Sequence, residues 1–153
     1  MAEFWGELIS NRVLIAGITG WFIAQILKMI IHSVINKTLD WERLVGDGGM
    51  PSAHSATVSA MAMTSVLVYG VGSFEFAISA MLATIVMHDA MGVRLETGKQ
   101  AKIINELVVL FEDLGKSHVS VETKLKEFVG HTPLQVLCGM LLGMMVALGY
   151  YYL

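Results

Sequence analysis

The chain has 153 residues, a single-domain length, of which 55% are apolar and only 15% charged, where a soluble domain carries about 25% charge. A mean hydropathy of +0.65 and a net charge of −3 exclude a disordered chain and disfavour a nucleic-acid binder, which needs a basic field to hold phosphates. The single cysteine, Cys138, excludes an intramolecular disulfide, and eleven methionines and fifteen glycines suit packed membrane helices.

Residues 1–7 are acidic and lack the basic stretch and small-residue cleavage site of a secretory signal. Residues 2–10 read as a short interfacial helix with Trp5 among the headgroups. A spanning helix needs about 20 mostly apolar residues, and four runs qualify: about 13–35, 52–72, 74–91 and 132–153. The first carries Lys28 and His32 near its far end. The second has no Asp, Glu, Lys or Arg. The third has Glu75 at one end and His88 with Asp89 at the other. The fourth is uncharged and ends in Tyr150, Tyr151 and Tyr152, an aromatic belt.

Between the third and fourth runs, residues 94–130 hold most of the charge. Within them Ile103, Ile104, Leu107, Val108 and Phe111 form one apolar stripe at helical spacing. That segment reads as an amphipathic helix on the membrane surface or as a helix folded back on the bundle. The expected architecture is all-α: one integral membrane domain, a polytopic bundle of about four transmembrane helices with an amphipathic cytoplasmic segment between the third and fourth. Eight of the ten basic residues fall in the two segments on one side of that topology, and Arg12 falls on the other. The positive-inside rule then places both termini outside and the charged side in the cytoplasm.

The motifs gather on that charged side. In Gly48-Gly49-Met50-Pro51-Ser52-Ala53-His54-Ser55, the glycines permit close backbone approach to a ligand. Pro51 suits a first helical turn. Ser52 is a candidate N-cap for a helix start that favours an anion. His54 can donate or accept a proton. A glycine turn, a helix cap and an incidental histidine explain the same string. In His88-Asp89-Ala90-Met91-Gly92-Val93-Arg94, the Arg94 guanidinium suits phosphate because it makes two parallel charge-assisted bonds; positive-inside anchoring explains it equally. Gly98-Lys99-Gln100 could form a second donor-rich turn. In Gly130-His131-Thr132-Pro133-Leu134-Gln135, Gln135 lies four residues beyond His131, on one helix face if both are helical. Two histidines, a set of cations and a glycine-proline turn on one face are the parts of a phosphoryl-transfer site with a phosphohistidine intermediate.

The Gly-Gly-Met-Pro-Ser-Ala-His-Ser string resembles the Pro-Ser-Gly-His motif of the type 2 phosphatidic acid phosphatase and vanadium haloperoxidase superfamily. The strings from His88 to Arg94, from Gly98 through Asn105 and from Gly130 to Val136, with Gly139, resemble its divergent bacterial and plastid branch. The resemblance covers residues 25–143 and implies a metal-independent phosphomonoesterase. It implies His131 as the nucleophile and His54 as the acid for the leaving group, with Gly49 and Ser52 in the phosphate cradle. It implies no cofactor.

The usual lysine, six residues, then Arg-Pro is absent; Lys28, Arg43 and Arg94 are candidates for its function, with Lys99 and Gln100 as further phosphate ligands. The arginine expected before the last histidine falls on Leu125, and the aspartate after it on Gln135. Asp89 is the candidate to supply that missing charge. The expected substrate is a lipid phosphate in the bilayer: phosphatidylglycerol phosphate first, then phosphatidic acid and prenyl phosphates. The rival function is a non-catalytic membrane protein that binds anionic lipid through the same site. Small residues in three spans, with Gly139 and Gly143 one helical turn apart, also suggest a homodimer.

Overall fold

Small side chains, not large ones, fill the interior. Ala16, Ala24, Ala56, Ala60 and Ala147 are fully buried, and the largest side chains so buried are Thr64, Ser52, Ser55 and Ser65. Phe22, Ile78, Met81, Ile85, Leu141 and Met145 are exposed instead. This inverts the pattern of a soluble domain and suits lipid: tails solvate large apolar groups as well as a core does, so helices associate through close backbone packing.

The computed structural model describes residues 1–37, 49–113, 125, 127 and 129–152. Arg43 lies outside the described residues. Six helices occur among them: α1 (Ala2–Ser10), α2 (Arg12–Asn36), α3 (Ala53–Tyr69), α4 (Phe74–Met91), α5 (Val93–Asp113) and α6 (Pro133–Tyr152). α1 is the short helix expected from residues 2–10, and Phe4, Trp5, Leu8 and Ile9 on it are exposed. Asn11 starts α2 by accepting from Leu14 N–H at 3.1 Å.

Ser52 caps α3, and Gly70 ends it with φ +86°, a left-handed value that favours glycine. Ser73 then caps α4 through Phe76 N–H (3.2 Å) and donates its hydroxyl to the Gly70 carbonyl (2.8 Å). α4 coincides with the expected third span. Gly92 (φ −96°, ψ −105°) separates it from α5, although Glu96 N–H still bonds the Gly92 carbonyl at 3.1 Å.

Among the described residues, three helical stretches are long and apolar enough to cross a bilayer: Arg12–Asn36, the near-continuous Phe74–Phe111, and Pro133–Tyr152. α3 has 17 residues, about 26 Å at 1.5 Å per residue, against a hydrocarbon core of about 30 Å. The bundle is therefore as expected, but three spans rather than four meet that measure, because Ser52 and Gly70 cut the second run short at both ends.

α3 is the centre of the bundle and packs against α2, α4 and α6. A Cβ at Gly139 would press on the Ser52 carbonyl oxygen and the Ser55 Cβ, and one at Gly143 on the Ala56 carbonyl oxygen. On α2, a Cβ at Gly20 would lie 3.0 Å from that same carbonyl oxygen, and one at Gly17 2.8 Å from Met61 Cγ. The glycines that suggested a homodimer pack against α3 within one chain.

Candidate functional site

One end of the bundle collects the starts of α3 and α6, the end of α4 and the second half of α2. At the start of α3, the buried Ser52 hydroxyl accepts from Ser55 N–H (3.3 Å) and from the Ser55 hydroxyl (3.0 Å). Ser52 N–H donates to the Gln135 carbonyl at 3.1 Å, which fixes the start of α3 to the first turn of α6. Pro51 precedes the cap instead of opening the helix, and its peptide bond with Met50 is cis. His54 follows in the first turn and is half-buried. The first-turn N–H groups of a helix have no intrahelical acceptor, which favours an anion here.

Lys28 reaches this end from α2. It is only 5% exposed, and its stem runs along Gly49, whose φ is +86°. A Cβ at Gly49 would lie 3.3 Å from Lys28 Cγ and 3.4 Å from Cδ. The positive φ favours glycine there, and a side chain would crowd the lysine stem. Gln25, one turn earlier, is equally buried, and its Oε1 has no hydrogen-bond partner among the described residues. Gln25 is not part of any motif, but a glutamine inside an apolar run is itself a signal of a polar interior.

His131 is not on a helix. It lies just before α6, is 3% exposed, and donates its backbone N–H to the Ala90 carbonyl at 2.9 Å. Gly130 (φ +90°) before it runs against Arg94 and Leu95, where a Cβ would collide with backbone. The His54 and His131 rings come together from 77 positions apart, with centroids 5.9 Å apart at 59°.

The expected helix face shared by His131 and Gln135 does not form. Gln135 Oε1 accepts from Thr132 N–H (3.0 Å), and Thr132 Oγ1 accepts from Gln135 N–H (3.4 Å). That reciprocal pair is a capping box for α6. Asp89 is likewise engaged: its Oδ2 accepts from Arg94 Nε at 2.8 Å, with both side chains nearly half exposed. The pair holds Arg94 beside His54, and a cavity of about 210 Å³ is lined by His54, Ile85, Val86, Asp89, Ala90 and Arg94.

Lys99 and Gln100 belong to α5 rather than to a donor-rich turn, because the helix begins at Val93, well before the apolar stripe. Both are exposed, and Lys99 pairs with Glu96 at 2.7 Å. A second cavity, of about 410 Å³, lies between α4 and α6. Its walls are Thr84, Met87, His88 and Met91 on one side and Pro133, Val136, Leu137 and Met140 on the other. Spaced at i, i+3, i+4 and i+7, the α4 residues of this groove form a face distinct from the one that meets His54.

These positions bear on kinship. No solved structure matches the chain. A protein from Bacillus subtilis (strain 168), described as "uncharacterized membrane protein YuiD", is 39% identical over 150 residues, covering 93% of this chain and 95% of that protein. The family model described as "Divergent PAP2 family" matches residues 9–146, a stretch that includes Lys28, Gly49, Ser52, His54, Asp89, Arg94, His131 and Gln135. With a multi-pass helix bundle that brings the glycine-proline turn, the arginine and both histidines to one end, the chain belongs to the divergent PAP2 family.

Proposed function

We propose that the protein is a membrane lipid phosphate phosphatase working through a phosphohistidine. The observation that carries this is the His54–His131 pair at one end of the bundle, 5.9 Å between ring centroids, with Arg94 beside it and buried Lys28 at the same end. His131 Nε2 attacks phosphorus, and the bond from phosphorus to the lipid alcohol oxygen breaks. The imidazolium of His54 gives that oxygen its proton. Water then attacks the phosphohistidine, losing its proton to the now neutral His54, and inorganic phosphate leaves. Arg94, Lys28 and the first turn of α3 with Gly49 and Ser52 neutralise the phosphate oxygens. Arg43, Lys99, Gln100, Asp89 and Gln135 are secondary candidates, the last two as groups that tune the imidazoles.

The groove between α4 and α6 supports a lipid substrate over a soluble one. It starts beside Pro133, two residues from His131, and its methionines suit a variable hydrocarbon chain. Phosphatidylglycerol phosphate ranks first among substrates, then phosphatidic acid and prenyl phosphates. By the positive-inside rule, the excess of basic residues on one side supports a cytoplasmic site with both termini outside, α3 being the remaining crossing.

The test uses the full chain in lipid nanodiscs with these substrates and no added metal. Wild type is expected to release inorganic phosphate and His131→Ala to release none; an equal rate in the variant overturns the mechanism. A second reading, a non-catalytic binder of anionic lipid, is favoured by one observation: Gln135 Oε1 and Asp89 Oδ2, the acceptors expected to serve His131, are engaged by Thr132 and Arg94. It predicts retained lipid phosphate and no release from any substrate.

A further inference from the structure

His131 stands on a short strap that runs back along α5, and three contacts register it there. At the far end, Asn105 Nδ2 donates to the Leu125 carbonyl (2.9 Å) and to Glu127 Oε1 (2.8 Å), while Leu125 N–H donates to Asn105 Oδ1 (3.1 Å). One side-chain amide thus pairs with both backbone groups of a residue 20 positions away. In the middle, the strap backbone lies on Gly98, where a Cβ would sit 2.6 Å from the Glu127 and Val129 carbonyl oxygens. At the near end, Gly130 packs on the Arg94–Leu95 backbone and His131 N–H reaches the Ala90 carbonyl. From Leu125 and Glu127 through Val129 and Gly130 to His131, the partners step back from Asn105 through Gly98 and Leu95 to Ala90, in antiparallel order.

We infer that Asn105 is a positioning residue for His131, setting the register of the strap and with it the place of the imidazole beside His54. Asn105 touches no reacting group. Its contribution is geometric: a displacement of about 1 Å in a nucleophile can cost on the order of 10²-fold in rate, and without Asn105 the strap keeps its packing on Gly98 and its near end at Gly130 and Ala90 but loses the hydrogen bonds that fix its far end. Glu127 is part of the device, because its carboxylate takes the second hydrogen of the Asn105 amide. The inference rests on the proposed role of His131, so its test needs an arm that works without turnover.

The experiment uses the full chain in nanodiscs with ring-¹³C histidine, the His131 signal being assigned by its loss in His131→Ala. In Asn105→Ala, the His131 ring signal should move while those of His32 and His88 stay in place. With a lipid phosphate substrate, kcat should fall by about 10- to 100-fold, with KM held within about twofold. Asn105→Asp keeps the acceptor for Leu125 N–H but sets a carboxylate against Glu127, and should show the same two changes. Adding Glu127→Gln to it supplies a new donor and should return both readouts part of the way to wild type; these two variants carry the test if Asn105→Ala does not fold. An unmoved His131 signal with unchanged kcat overturns the inference, as does a double variant no better than Asn105→Asp. If wild type itself releases no phosphate, a His131 signal that moves still supports positioning while the phosphatase reading fails.

Discussion

His54 sits on the first turn of α3, inside the most densely packed part of the bundle. Ser52, Ala53, Ser55 and Ala56, which flank it in the chain, are all buried. His131 stands on a strap whose register comes from α5, through an amide 26 positions earlier in the chain and two glycines. α5 itself leaves Ile103, Ile104, Leu107, Leu110 and Phe111 exposed, and among the described helices it contacts α4 alone. One histidine is therefore placed by the central helix of the bundle, and the other by its bond to α4 together with a strap registered on the peripheral α5. Substitutions on the α3 side should strike stability and site together, whereas those on the α5 side should strike the site alone.

The largest effect is expected where both functions share atoms. Gly139→Leu forces a branched side chain onto the Ser52 carbonyl and Ser55. Overpacking costs about 1–3 kcal/mol and more against backbone, so thermal unfolding in nanodiscs should show a large loss of folded protein, with phosphate binding lost in parallel. Gly98→Ala separates the two sides. Its methyl would sit 2.6 Å from two strap carbonyls, so phosphate release should fall at least tenfold, by the same sensitivity to misplacement, while the unfolding temperature barely moves. Equal losses of stability and activity in that variant would erase the distinction between the two regions. Asp89→Asn gives the smallest stability change, because its ion pair with Arg94 is nearly half exposed. Such pairs contribute about 0–1 kcal/mol, so the expected consequence is a rise in KM as Arg94 loses its tether, with stability unchanged.

Local signals carried well from sequence to structure. Ser52 caps the helix that follows it, as its place in the glycine-proline string implied, and α4 has its expected bounds. Convergence of the glycine-proline turn, Arg94 and His131 on one end followed from counting spans, and it survives even though α3 is too short for the full hydrocarbon thickness. What depended on tertiary partners was not legible. Thr132-x-x-Gln135 is a readable capping box, but the family's spacing drew attention to Gln135 as a substitute for a catalytic acid. The Gly98-Lys99-Gln100 string looks like a turn until Val93 is seen to start a helix. The Asn105–Leu125 pairing spans 20 residues without any periodic signal. Glycines in apolar runs announce close packing without saying whether the partner is in the same chain, and here it is.

The central claim is that a phosphoryl group passes through His131. The direct measurement is rapid quenching of the full chain in nanodiscs with radiolabelled lipid phosphate, followed by mapping of any acid-labile label. Wild type and His54→Ala should both carry label on His131, formed more slowly in His54→Ala by about 10²- to 10⁴-fold, the usual worth of a general acid. In His131→Ala there should be none. Phosphate release without label on His131, or lipid phosphate held indefinitely with no label at all, would contradict it.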